Sequence, residues 1–292
     1  MKLLAISLIV ALPAVAAGGE ALDLLAKART AFLENHDRER YWNWTTITKR
    51  SVVDKRGKLI LDLPSVTIES PIRTDGRRCN ALLAWGDGRE PYLATASADQ
   101  RCTVEQEVKE LFQEENLLTS SLVKVRSRSP AVITLAIPVD KSAMNSPDRF
   151  ERCTASVQAT LQLDPGTFFP KGMSMEVIGS GCEQRTAAVN HYDDAPLTGT
   201  VSTLRKGATI QREYVLQKDK AGDNTRDFWM CLHQRSIRPL RDTSSMLVIW
   251  GRRFELGHPT PGRHVVVEAS TVANELATET LLKFDTQPKK DK

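Results

Sequence analysis

The chain lacks the constellations that most often mark a chemistry. Its 292 residues contain no G-x-S-x-G, no H-E-x-x-H and no C-x-x-C. These absences remove the nucleophile elbow of hydrolases, a helix-borne zinc pair and the common dithiol metal or redox motifs. Phosphate-binding glycine loops are missing too, since Gly179-Ser180-Gly181 is followed by neither lysine nor helix. The match to S-x-x-K at Ser121-Leu122-Val123-Lys124 stands in a β-branched, strand-like context without S-D-N or K-T-G, and reads as chance. Five histidines are scattered, and aromatic residues make up only 6% of the chain, few for a carbohydrate groove. His191-Tyr192-Asp193-Asp194 is the nearest mixed cluster, but Ala195-Pro196 after it makes it read as a turn. Neither a metal nor a cofactor is expected.

Long apolar runs are also absent, apart from Leu3 to Val15 at the N-terminus. That stretch follows Lys2 and ends in Ala14-Val15-Ala16-Ala17-Gly18-Gly19. A cation, a short apolar core and small residues at the exit form a secretory signal, too short to anchor in a bilayer. Cleavage is expected near Ala17, with no cysteine beside it to take a lipid, so the product is a soluble protein of the periplasm or the exterior. Losing Lys2 leaves 39 basic against 36 acidic side chains, and Lys289, Lys290, Asp291 and Lys292 account for +2 of the remaining +3. The body is nearly neutral, which excludes nucleic acid as the main partner. No second run approaches 18 residues, so no transmembrane segment is expected.

Five cysteines, Cys79, Cys102, Cys153, Cys182 and Cys231, would meet an oxidising compartment after export. Fifteen arrangements of two bridges are open. Sequence neighbours favour Cys79 with Cys102 and Cys153 with Cys182, leaving Cys231 free and buried. A metal site at Cys231-Leu232-His233 is the weaker alternative.

What the sequence does carry is patterning. Ala21, Leu24, Leu25, Ala28, Ala31 and Phe32 recur at helical spacing over 20–36, an amphipathic helix that needs a surface to cover. From Tyr41 the period falls to two, with Trp42, Trp44, Thr46 and Thr48 on one face. Asp54-Lys55-Arg56-Gly57-Lys58 supplies a turn and 59–69 returns as a partner strand, a long hairpin. Shorter strands are expected at 79–85 and 92–96. Thr103 and Gln106 form a capping pair for a second amphipathic helix over 104–116. Strands follow at 122–125 and 131–139, with polar loops at 126–130 and 140–148. Everything from Arg152 to Val267 reads as strands broken by turns, and 270–282 as a short helix. The fold expected is α+β, mostly β: a curved antiparallel sheet or unclosed β-barrel with amphipathic helices packed on it. Residues 18–285 form one β-rich domain with a candidate sub-boundary at 140–148, after a 1–17 signal and before a disordered basic tail at 286–292.

Two groups of residues are candidates for a site. Trp42, Trp44, Trp229 and Trp250 could line an apolar cavity, the alternative being ordinary sheet core. Arg235, Arg238 and Arg252, within an arginine-rich last third that includes Arg241, Arg253 and Arg263, could receive an anionic group, the alternative being a solvated strand face.

The order of elements resembles the bacterial periplasmic lipoprotein carriers, the LolA/LolB-like proteins. The features that carry it are the export signal, the amphipathic first helix, the hairpin around Lys55-Arg56-Gly57-Lys58 and the strand entering a turn at Leu163-Asp164-Pro165-Gly166-Thr167. The resemblance implies an unclosed antiparallel barrel whose helix-covered concave side holds acyl chains. The expected function is that of an exported binding protein for a lipid or lipid-bearing partner such as a lipoprotein, rather than an enzyme. A secreted hydrolase using His191 and Asp193, or an envelope scaffold that binds another protein, are the alternatives. Oligomeric state is not fixed by the sequence.

Overall fold

In the computed structural model, residues 16–39, 42–70, 81–87, 114–182, 185–190, 197–202, 204–219, 222–240, 246–249, 252–257 and 262–273 are described. The expectations for 1–15, Cys79, Cys102, the strand at 92–96, helix residues 104–113, His191, Asp193, Arg241, Trp250 and 274–292 lie outside them. The elements are α1 (Ala16–Glu39), β1 (Trp44–Val53), β2 (Leu59–Ser70), β3 (Ala81–Trp85), α2 (Glu114–Leu117), β4 (Lys124–Arg128), β5 (Ile133–Ile137) and α3 (Arg149–Ala155). Then follow β6 (Val157–Leu163), β7 (Pro170–Val177), β8 (Arg185–Asn190), β9 (Leu197–Ser202), β10 (Thr209–Gln217), β11 (Phe228–Pro239), β12 (Met246–Ile249), β13 (Arg252–Glu255) and β14 (His264–Ala273). Ten strands form one sheet in the order β3-β2-β1-β14-β11-β10-β7-β6-β5-β4, while β8-β9 and β12-β13 are separate two-stranded units. Every pairing is antiparallel, and β3 and β4 are edges that do not meet, so the sheet is unclosed.

Alternation decides the two faces. Along β6, Val157, Ala159, Leu161 and Leu163 are buried while Gln158 and Gln162 are exposed. Ile133, Leu135 and Ile137 on β5 and Met173, Met175 and Val177 on β7 continue the same apolar floor. Against it lie Ala21, Leu24, Leu25 and Ala28 of α1, the stripe whose spacing predicts an amphipathic helix. We call this the inner face. Two leucines of α1, each with under 5% exposure, supply about 1.5–3 kcal/mol apiece by leaving water. Exposed ion pairs such as Arg128–Glu20 and Arg29–Glu115 add little beside that.

Turn chemistry fixes the register. The Asp54 carboxylate accepts from the backbone N–H groups of Arg56 (2.8 Å) and Lys58 (2.9 Å), and Gly57 takes the positive φ of 78° that the β1-β2 connection requires. The Cys153–Cys182 bond, 29 residues apart in sequence, ties α3 to the segment after β7, and Cys231 is free.

Three expectations are corrected. Arg152 to Ala155 belong to α3, because Asp148 caps the backbone N–H groups of Phe150 and Glu151 at 2.7 and 3.0 Å and starts a helix where strand was expected. Arg126 to Arg128 belong to β4, an edge strand whose charges suit an unpaired rim better than a loop. Ser270 to Ala273 continue β14 rather than opening a helix, since β1 pairs with the strand through Ala273.

Candidate ligand-binding face

Residues opposite each other in antiparallel strands share a face, so the inner face can be followed across the sheet. Ile210 on β10 packs in the α1 core and lies opposite Ser236 on β11; Ser236 lies opposite Val267 on β14; Val267 lies opposite Arg50 on β1; Arg50 lies opposite Leu63 on β2. The line ends at Trp85 on β3, opposite Val66. The inner face thus has two halves. Over β5, β6, β7 and β10 it is filled by α1. Over β1, β2 and β3 it carries Leu61, Leu63, Val66, Ile68 and Trp85, with Phe254 of the β12-β13 hairpin packed on them. That hairpin joins no strand of the main sheet.

Between the halves runs a polar stripe. Arg212 on β10 pairs with Glu114 of α2 at 2.5 Å and donates from Nε to Gln234 at 2.9 Å. Burial is the largest single influence on the Arg212 pKa and lowers it, but the Glu114 carboxylate, Tyr214 and Cys231 together outweigh it and the value is raised. Beside it, burial pushes the Tyr214 hydroxyl up to about 12 and raises the Cys231 thiol, which makes that sulfur a poor nucleophile. Arg50, Ser236 and Arg238 complete the stripe.

No family model matches the chain, and no curated protein does either. Solved structures do. A candidate outer membrane lipoprotein-sorting protein domain from Vibrio parahaemolyticus aligns over 87% of this chain and 94% of its own, at 10% identity and a TM-score of 0.31. A LolA superfamily protein from Nitrosomonas europaea aligns over 90% and 96%, at 8% identity and 0.29. The chain is similar to LolA superfamily proteins. A structure of the MucA/MucB complex of Pseudomonas aeruginosa is also similar, over 90% and 96% at 16% identity, with a TM-score of 0.21. At TM-scores below 0.5 none of these likenesses bears on ligand or partner, which must be argued from this chain's own side chains.

The sequence-predicted residues fall in different places. Trp42 and Trp44 come together, both stacked on Phe228 at 6.5 and 6.0 Å, and the Trp42 indole N–H donates to the Arg226 carbonyl at 2.7 Å. Trp229, the next residue after Phe228, points to the other face of β11 and stacks on Phe169 at 5.2 Å, in a cluster with Phe32 and Tyr214. Arg235 and Arg238 are three apart on β11 and so lie on opposite faces; Arg235 pairs in the open with Glu268. Arg252 stands on β13, and its side chain lies outside the described residues.

Sequence reasoning passed over Arg50, Ser236 and the apolar residues of β2. A signal for Arg50 was present: the alternation that puts Trp44, Thr46 and Thr48 on one face puts Arg50 there too. Elsewhere, His233 Nδ1 and Ser270 Oγ lie 3.1 Å apart on the opposite, exposed face, with no described carboxylate bonded to the imidazole. A cleft of about 470 Å³ between α2, the end of β5 and α3 is lined by Asn116, Ser120 and Phe150 and by the carboxylates Asp140 and Glu151, which accept from the hydroxyls of Ser142 and Ser146. Among the described residues no cluster of three His, Cys, Asp or Glu could hold a metal, and no helix is long and apolar enough to cross a membrane.

Proposed function

We propose that this is an exported binding protein whose inner face, over β1, β2 and β3, receives the apolar part of a lipid or lipid-bearing partner. The observation that carries the reading is the unequal cover of one continuous face. Helix α1 fills one half with four interlocked side chains, whereas the apolar floor of Leu61, Leu63, Val66, Ile68 and Trp85 is capped by Phe254 from a hairpin outside the sheet. Two strands of four residues are marginal by themselves, so the hairpin is the cover that gives way. Trp42 and Trp44 stand at the far end of β1 and act as packing for Phe228 in this reading. Export rests on the charged, apolar and small-residue pattern of the first 17 residues.

The envelope-scaffold reading asks for a contiguous exposed apolar patch. The exposed hydrophobic residues described fall in small groups instead: Leu59 and Ile60 near the β1-β2 turn, Ile47 and Val272 as diagonal neighbours on β1 and β14, and Leu22, Leu33, Leu122 and Phe150 elsewhere. The test is extraction of the exported, purified protein, with native mass spectrometry alongside. Co-purifying lipid at near-stoichiometric amount is the expected result. Protein that comes lipid-free and takes up neither lipid nor a naphthylamine probe would overturn the reading.

A further inference from the structure

One group on the inner face is explained by neither packing nor the ladder. Arg50, in the middle of β1, faces the interior between Leu63 on β2 and Val267 on β14. Across β14, Ser236 occupies the matching position on β11, and Arg238 lies two residues along on the same face, opposite Val265. Arg50 and Ser236 thus stand about 10 Å apart at the backbone, twice the strand spacing. An anion seated over Val267 lies within reach of an extended arginine from one side and a hydroxyl from the other.

The unmet valence is specific. Arg50 Nη1 and Ser236 Oγ are both buried without a hydrogen-bond partner among the described residues, and Ser236 is only 1% exposed. No described carboxylate pairs with Arg50. Burial, and after it the positive charge of Arg238, pull the Arg50 pKa below its ordinary value. A guanidinium does not escape by losing its proton, so a second arginine beside it raises the demand for negative charge. Taking one such cation out of water without a counter-charge costs several kcal/mol, and a planar or tetrahedral oxyanion is the group its donor fork fits.

We propose that Arg50, Ser236 and Arg238 form an anion-binding site for the carboxylate or phosphate of an amphiphile whose apolar part lies on Leu61, Leu63 and Val66. This deepens the lipid-binding reading and rests on it for the tail, not for the head. Arg50 and Ser236 donate to the oxyanion, Arg238 supplies charge, and the neighbouring leucines exclude water from the ion pair.

The experiment is calorimetric titration of the delipidated, processed chain with dodecyl phosphate, dodecanoate, neutral dodecyl maltoside and inorganic phosphate. Dodecyl phosphate should bind at least tenfold tighter than the maltoside. R50M should remove that advantage while leaving maltoside binding unchanged and raising the melting temperature of the ligand-free protein, because an unpaired buried charge is gone. S236A, a smaller change, should weaken dodecyl phosphate about three- to tenfold. Equal affinity for charged and neutral amphiphiles would overturn the anion site and leave the lipid reading standing. Binding of inorganic phosphate that R50M abolishes, with no amphiphile bound more tightly, would support the anion site and overturn the lipid reading. A melting temperature lowered by R50M at unchanged dodecyl phosphate affinity would make Arg50 structural and overturn the proposal. Absence of binding by all four probes would overturn both.

Discussion

Asn35 offers the sharpest test of how α1 is held in place. The strand pairing of β14 with β11 ends at His233, so the backbone of Trp229 lies beyond the ladder on that side. Asn35 takes the missing strand's role: Trp229 N–H donates to Asn35 Oδ1 at 2.7 Å, and Asn35 Nδ2 donates to the Trp229 carbonyl at 3.0 Å. Asn35 is among the few buried polar residues of the chain. Alanine there leaves a part-buried N–H and C=O without partners, each worth about 1–2 kcal/mol when orphaned, so N35A should lose roughly 2–4 kcal/mol. For a chain of this size that lowers the melting temperature by roughly 5–12 °C. N35D separates hydrogen bonding from packing. Its carboxylate still accepts from Trp229 N–H but sets a negative oxygen against a carbonyl, so its folded pKa is raised above the ordinary value near 4. The penalty therefore grows as pH rises above about 4 and shrinks below it, where the protonated acid donates again. Urea unfolding followed by tryptophan fluorescence at pH 7.5 and pH 4.5 measures all three proteins. A loss under about 0.5 kcal/mol for N35A, or an N35D penalty that does not vary with pH, would refute the clamp.

Other expectations follow from the same contacts. Phe169 is 1% exposed among Phe32, Tyr214 and Trp229, so F169A should destabilise by about 3–5 kcal/mol in the same urea assay. Opening the Cys153–Cys182 bond in a C153A/C182A double variant should remove about 3.5 kcal/mol, for a closed segment of 29 residues, and a non-reducing melt that matches wild type would contradict this. The Tyr214 hydroxyl has its pKa raised to about 12, so the stability it contributes is fully present below pH 10 and is lost as pH rises through about 12. A 295 nm titration of the four tyrosines should show one late ionisation that Y214F removes.

Much of the fold was legible because it follows from two periods. The α1 positions buried against the sheet are those that the 3.6-residue spacing picks out, and the β1-β2 hairpin turns where Asp54 and Gly57 allow it. The misreadings share a cause: local signals were overruled or overlooked. Residues 270–273 belong to a stretch rich in helix formers, yet they lie in the ladder with β1, and strand pairing outweighs a propensity of tenths of a kcal/mol per residue. At α3 the signal was present and missed, since Asp148 is a good N-cap. The candidate site was less legible. Alternation places Trp229 and Phe228 on different faces, but it cannot say which face α1 covers or that Arg235 and Arg238 part company across β11.

The uneven cover of the inner face has an energetic consequence for binding. Lifting Phe254 from the cluster of Leu63, Val66 and Trp85 would expose one large side chain's worth of apolar surface, about 2–3 kcal/mol. A uncovered state at that cost is populated by roughly one molecule in a hundred, enough for a ligand to find. Lifting α1 instead would expose Ala21, Leu24, Leu25 and Ala28 together and break the Asn35 clamp, several times that sum. Under the proposed function an entering alkyl chain would replace the contacts of Phe254 at about 0.8 kcal/mol per buried methylene, so three or four methylenes would offset the opening and every further one would favour the complex. The half that would open in the proposed reading is bordered by Arg50, which pairs across the strands with Leu63. On the proposed reading, ligand entry on that side would bring the apolar floor and the buried guanidinium into contact with the same molecule.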